Sequence, residues 1–230
     1  MQLSLLESDL KTYIGRQLDT FFPDGHAFRG SDIDKAFDEA LKRIEYCFSY
    51  IKNAAYTDGK GNIFFSHLHA DQYASFLYFL SNSLWNISEN KHICDKLIGL
   101  NRTLHGFYFS YKGKLPKIFF FGHPVGSVIG NAAYSDFLVV SQNVTINTGE
   151  NKDGKLVPEL GKGLYLAAGA KIIGNEPIGD RVSIGVDAVI YNQAVESDCV
   201  VERSVDGKII IRERRRSECK AQQYFNVKID

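Results

Sequence analysis

Few side chains in this sequence stand where they could do chemistry. His123 lies in FFFGHPVG, residues 119–126, where Pro124 stiffens the turn that would present the imidazole. An unperturbed imidazole titrates near about 6.5, so at neutral pH it can take a proton from a hydroxyl or amine. On sequence pattern alone, a packed or surface turn histidine is an equally good reading. A catalytic base needs a group to orient it, and the nearest downstream acid is Asp136. His67, His69, Asp71 and Gln72 open a predicted helix, where they either shape an acceptor pocket or hold the helix end. Cys47, Cys94, Cys199 and Cys219 have no metal-ligand spacing and read as buried thiols of a reducing compartment. No metal is expected. Arg212, Arg214, Arg215 and Arg216, broken by Glu213, read as a solvated tail segment.

The elements that must position these groups change character near the middle of the chain. From Ser31 to Ile51, SDID is followed by Phe37, Leu41, Ile44, Phe48 and Ile51, three or four apart, which predicts an amphipathic helix with acids in its first turn. A second helix is expected from about Ala70 to Trp85, with Tyr73, Phe76, Leu77, Leu80 and Leu84 on one apolar side. A third is expected from Lys91 to Leu100. Beyond His105 the text is aromatic and extended. There Leu160, Leu166, Ile172, Ile178, Ile184 and Ile190 return at every sixth position. Neither a helix of period 3.6 nor a strand of period two asks for this. A parallel β-helix of triangular section does, since each side takes about six residues and its inward aliphatic stacks on the next coil. The spacing also runs back through Val128, Tyr134, Val140 and Ile146, and is interrupted by NTGENKDGKLVP, residues 147–158.

The fold class is therefore α+β. A helical N-terminal domain is expected over 1–104 and a β-helix over 105–205, with a protruding loop at 147–158 and a C-terminal tail at 206–230. The sequence after Val201 is expected to supply a closing strand and cap. Lys plus Arg equals Asp plus Glu, 27 against 27, so no nucleic-acid partner or membrane surface is predicted. No run is long enough for membrane insertion, and MQLSLLESDLKTYIG is too charged for a signal peptide. A cytoplasmic location is the expectation.

HPVGSVIGNA, residues 123–132, resembles the histidine segment of the hexapeptide-repeat acyltransferases, in their serine acetyltransferase branch. VTINTG and VPELGKGLYLAAGAKIIGN resemble that branch's glycine-rich loop and following coils, and HADQYASFLYFLSNSLW its preceding helix. The resemblance implies a left-handed β-helix that transfers an acetyl group from acetyl-CoA to a hydroxyl or amine, with His123 as general base. It implies cofactor contacts at Gly149, Ala168, Gly169 and Lys171, the last toward the CoA phosphates. It also implies a homotrimer, or a dimer of trimers, with sites between subunits. Three positions depart from the branch. Gly122 replaces an aspartate that helps hold the substrate amino acid, and the position of the carboxylate that orients the histidine falls near Tyr108. Val157 replaces a second histidine. The departures keep open a sugar or nucleotide-sugar O- or N-acetyltransferase of surface-polysaccharide synthesis, and a non-catalytic scaffold.

Overall fold

A computed structural model of the chain describes residues 1–147 and 157–230. It divides into two compact units, Met1–Ser49 with Asn53–Gly113, and Tyr50–Lys52 with Lys114–Asp230. The boundary at Gly113 falls later than the expected residue 104, because the chain beyond the last helix still belongs to the first unit: Asn82 Nδ2 donates to the carbonyls of Tyr111 and Gly113 at 2.8 and 3.1 Å.

The first unit is built from α1 (Glu7–Phe21), α2 (Ser31–Ser49), α3 (Ala70–Ser88) and α4 (Lys91–His105). α1 had no counterpart among the expected helices, although Leu10, Ile14 and Leu18 are spaced four apart and all are buried. α3 lies against both α2 and α4. It is buried on every side from Asp71 to Leu84, where the sequence predicted one apolar face. Its polar groups are satisfied locally: Ser75 and Ser81 hydroxyls donate to the carbonyls of Asp71 and Tyr78, and Arg43 of α2 donates to the Ser83 hydroxyl at 2.8 Å. Asn90 caps α4 through the Ile93 N–H, and the left-handed Gly106 ends it.

The second unit is the parallel β-helix. Face one stacks Phe119–Phe121, Leu138–Val140, Tyr165–Leu166, Ser183–Ile184 and Cys199–Arg203. Face two stacks Val128–Ile129, Thr145–Ile146, Lys171–Ile173 and Val189–Tyr191. Face three pairs Ala133–Tyr134 with Glu159–Leu160 and continues through bridges to Ile178 and Val195. The six aliphatics from Leu160 to Ile190 are at most 2% exposed, as the six-residue period requires. Earlier the register differs by one. Ile129, not Val128, stacks on Ile146 and is buried, while Val128 is half-buried. Leu164, Ala170, Val182 and Ala188 also face inward, but Ala194 is exposed because Val195 takes the inward place only five residues after Ile190. The interruption lies inside one coil, between Ile146 on face two and Leu160 on face three.

The end of the chain is not a loose tail. Ile209–Glu213 pairs antiparallel with Cys199–Arg203 and closes face one, as the sequence after Val201 suggested. A short helix, Lys220–Tyr224, then brings Tyr224 against Phe120 and Tyr165 on the outside of face one. Phe225 is buried beside Phe137, and Asn226 N–H donates to the Tyr50 carbonyl at 3.0 Å. All four cysteines are buried, and none forms a disulfide.

Candidate functional site

The site is built on the corner between faces one and two. Here each coil places one residue in the left-handed region: Gly126, Asn143, Gly169 and Asp187, with φ between 54° and 75°. Backbone bonds lock the stack, from Asn143 N–H to the Val125 carbonyl, Gly169 to Gln142 and Asp187 to Ala168, each 2.9 Å. A Cβ on Gly169 would overlap the Asp187 carboxylate, so this coil needs glycine for space as well as for φ. From the inward residue of face one to the left-handed residue is three positions in the later coils: Val140 to Asn143, Leu166 to Gly169, Ile184 to Asp187. In the first coil, Phe121 to Gly126, it is five. Gly122 N–H still bonds the Val140 carbonyl, so the two added residues are His123 and Pro124.

His123 is exposed on this bulge and itself adopts φ 54°, while Pro124 is buried beneath it. Histidine tolerates the left-handed region better than β-branched residues do, but not without cost. The bulge is fixed from below by Ser127, 1% exposed, whose hydroxyl donates to the Ser141 carbonyl at 2.9 Å and accepts from Val144 N–H at 3.0 Å. A bulge that re-aims a side chain out of a regular ladder is a common way to present a functional group.

Of the other expected site residues, Ala168 and Gly169 lie on the same corner two coils further on. Lys171 opens the next strand of face two and is half-buried, with its ammonium donating to the Gly169 carbonyl at 2.9 Å. Gly149 lies outside the described residues. Asp136 is not brought to His123. It sits before the face-one strand, at the corner between faces three and one, and its carboxylate accepts Ile118 N–H at 3.0 Å. His123 follows the neighbouring strand at its other end, so the length of one face, roughly 15–20 Å, separates them. Asp136 is a turn residue here, and the expectation that it orients the imidazole is corrected.

The polar group at the start of α3 is taken up by structure only in part, since His69 makes no side-chain cap bond and its Nδ1 is buried without a hydrogen-bond partner. The Gln72 amide accepts Ser66 N–H at 2.7 Å and donates to the Ala55 carbonyl at 2.9 Å, and His67 Nδ1 meets the Ser4 hydroxyl at 2.8 Å. His105, at the end of α4, is half-buried, and the loss of water around it lowers its imidazole to about 4. Among the described residues no three His, Cys, Asp or Glu side chains gather as a metal site. No described helix is long and apolar enough to cross a membrane.

A cavity of about 770 Å³ opens on face one of the later coils. Its floor carries Tyr165, Ser183 and Val200, its edge Ala167, Gly185 and Val186, and its outer wall the segment from Arg212 to Lys220. The arginines expected on a solvated tail therefore wall a groove. Period and charge in the sequence gave no sign of it, because the antiparallel return that carries the arginines onto face one is a long-range contact.

No family model matches the chain. A 130-residue stretch, 56% of it, is 32% identical to serine acetyltransferase of Synechococcus elongatus, of which it covers 52%. A 144-residue stretch is 28% identical to serine acetyltransferase of Staphylococcus aureus, covering 62% of this chain and 66% of that one. The chain thus spans about half to two thirds of the length of these relatives. The structure of serine acetyltransferase from Vibrio cholerae superposes with a TM-score of 0.71 at 21% identity, over 94% of this chain and 83% of that one. The chain is similar in sequence to serine acetyltransferases and shares their fold. The shared fold is a helical unit followed by a left-handed β-helix. The branch's departures can now be placed. A Cβ on Gly122 would press on the Phe120 ring, Tyr108 lies beneath the Arg102 guanidinium, and exposed Val157 has its N–H on the Asn175 side chain.

Proposed function

We propose that this chain moves the acetyl group of acetyl-CoA onto a hydroxyl of a small acceptor of the serine class, with His123 as general base. The neutral imidazole takes the hydroxyl proton as the oxygen attacks the thioester carbonyl. The tetrahedral intermediate then expels the thiolate, which takes a proton from the imidazolium and leaves as free CoA, while the acceptor keeps the acetyl group as an ester. The observation that carries this reading is the two-residue bulge. It is the one place in the described coils where the first corner departs from its three-residue step, and it presents a histidine. Small residues at Ala168 and Gly169 continue the same corner and suit an extended donor lying along it, and Gly149 goes with them as a donor contact. A homotrimer, or a dimer of trimers, with sites completed between subunits accompanies the reading.

A sugar acceptor, taking O- or N-acetylation, is the second reading. Gly122 and Val157 favour it, since both stand where the branch has groups that serve the amino-acid substrate. The test is thiol release from acetyl-CoA, first with L-serine and then with amino- and hydroxy-sugars. Serine-dependent release that His123→Ala abolishes is the expected result. Release with sugars alone selects the second reading. Absence of both release and acetyl-CoA binding leaves a scaffold.

A further inference from the structure

Three of the described coils close the corner between faces one and two by the same turn. The residue after the left-handed one sends its N–H back to the carbonyl three positions earlier: Ser127 to Pro124 at 3.0 Å, Ala170 to Ala167 at 3.1 Å and Ala188 to Gly185 at 3.2 Å. The second coil differs. There Val144 N–H goes to the Ser127 hydroxyl at 3.0 Å, and that hydroxyl donates to the Ser141 carbonyl at 2.9 Å. A side chain of the first coil is thus inserted into the turn of the second, where the direct bond from Val144 to Ser141 would lie.

The stack by itself asks for no hydroxyl at this place. The counterparts of Ser127 in the other coils are Val144, Ala170 and Ala188, all apolar and buried. A buried hydroxyl costs stability unless it is bonded, so a serine here answers to something particular to the first coil. That coil alone carries the His123–Pro124 step. Pro124 has no N–H to give to a neighbouring coil. The carbonyls of His123 and Pro124 are both turned into the bulge, onto Val125 N–H at 2.8 Å and Ser127 N–H. Backbone ties to the second coil flank the step, from Gly122 N–H to the Val140 carbonyl and from Asn143 N–H to the Val125 carbonyl, each 2.9 Å. Ser127 adds to them from the inside. Its N–H holds Pro124 and its hydroxyl holds the second turn, so one residue clamps the bulge to the coil beside it.

We infer that Ser127 is a positioning residue for His123, and that its inserted hydroxyl sets the bulge at the height from which the imidazole meets the acceptor. The inference rests on the acyl-transfer reading, in which His123 is the base, and deepens it. Ser127 is 1% exposed and does not touch substrate. It acts through the backbone of residues 123–126. A misplacement of about 1 Å at a reacting group can cost about 10²-fold in rate, so the clamp governs turnover and leaves the donor's contacts along the corner in place.

The experiment compares Ser127→Ala with wild type and with Ile178→Val, which trims a buried face-three residue. Ser127→Ala is expected to lower kcat of thiol release about 10- to 100-fold, with KM for acetyl-CoA within about twofold of wild type. Ile178→Val should keep the wild-type kcat. Ser127→Cys puts a weaker donor and acceptor in the same place and should recover part of the rate. Amide hydrogen exchange, followed by NMR, reads the clamp without any acceptor. In Ser127→Ala the N–H groups of residues 127 and 143 should exchange about tenfold or more faster, while those of Ala170 and Ala188 keep their protection. Four results overturn the inference and leave acyl transfer standing: wild-type kcat in Ser127→Ala, an equal loss of kcat in Ile178→Val, a Ser127→Cys no faster than Ser127→Ala, or exchange at 127 and 143 that is unchanged or faster only in step with 170 and 188. Selective loosening of 127 and 143, in a protein whose wild type releases no thiol with any acceptor, sinks acyl transfer and keeps the clamp.

Discussion

Two corners of the β-helix solve the same backbone problem with different side chains. The corner between faces one and two turns through Gly126, Asn143, Gly169 and Asp187, and the corner between faces three and one turns through Phe137, Gly163, Arg181 and Asp198, every one at positive φ. The second corner is filled. Phe137 is buried against Phe225, Ile229 packs over Gly163, and Arg181 and Arg214 converge on Asp198. The first is left open, with exposed Val125, Asn143, Val186 and Asp187 and the added His123–Pro124 step. Spending side-chain contacts on one corner while keeping the other bare separates stability from chemistry within a single repeat. Predictions that set one corner against the other test that separation.

The largest effect is expected at the open corner. His123→Ala should lower the rate of thiol release by about 10²- to 10⁴-fold, the usual worth of a general base. Deleting His123 and Pro124 together should abolish the activity. Because the deletion gives the first coil the same three-residue step as the others, the β-helix should still fold, with a thermal midpoint close to that of wild type. Cooperative loss of the whole β-helix in that deletion would show that the bulge is structural, and the contrast between the corners would fail.

The repeat itself was legible because a β-helix writes its core as one inward aliphatic per side, and the run from Leu160 to Ile190 has no irregular coil. The first coil was misread by one residue because Tyr134 on face three follows Ile129 on face two after only five residues, one short of the six-residue grid. A fixed period cannot reveal where it is broken. The histidine was legible by its neighbours in sequence, whereas what could orient it was not, since Asp136 is near in number and a whole face away in space. α3 read as one-sided because the serines and asparagine on its other side look solvent-facing until their partners are known. The arginine groove was hidden for the same kind of reason. Its wall and floor meet only through the pairing of Ile209–Glu213 with Cys199–Arg203.

A smaller effect should distinguish glycines near the two corners. A Cβ on Gly161, just beyond face three, would overlap the backbone of Gly179 one coil on, and neither chain has a side chain to move. Gly161→Ala should therefore cost at least as much as overpacking usually does, about 1–3 kcal/mol. Gly169→Ala meets only the Asp187 carboxylate, which can swing outward, so its cost should be mainly the left-handed φ, about 1–2 kcal/mol. Chemical denaturation of both variants tests the order. A more damaging Gly169→Ala would mean that the open corner is as tightly filled as its counterpart. Ser127→Ala strands a buried N–H and carbonyl under the bulge and should cost about as much as Gly161→Ala, about 1–3 kcal/mol.

The smallest effect belongs to the ion cluster of the filled corner, and it carries a pH signature. The hydrogen bond from Arg181, and then that from Arg214, hold the Asp198 carboxyl down to about 2, below its ordinary value of 3.8. A carboxylate whose pKa is depressed by folding stabilises the native state above its unfolded pKa. That contribution is lost as protons are taken up between about pH 4 and pH 2. Asp198→Asn keeps the shape and suits the left-handed backbone, so it removes the charge with little else. The side chain is 40% exposed, and screening by water therefore keeps the effect below about 1 kcal/mol at pH 7. Wild type and variant should differ most at neutral pH and low salt, converge as pH falls through 4 toward 2, and draw together in 1 M salt, where the Debye length is only about 3 Å. A gap that persisted at pH 2 would mean that the asparagine disturbs packing at the filled corner, not charge, and that its stability rests on Phe137, Phe225 and Ile229 alone.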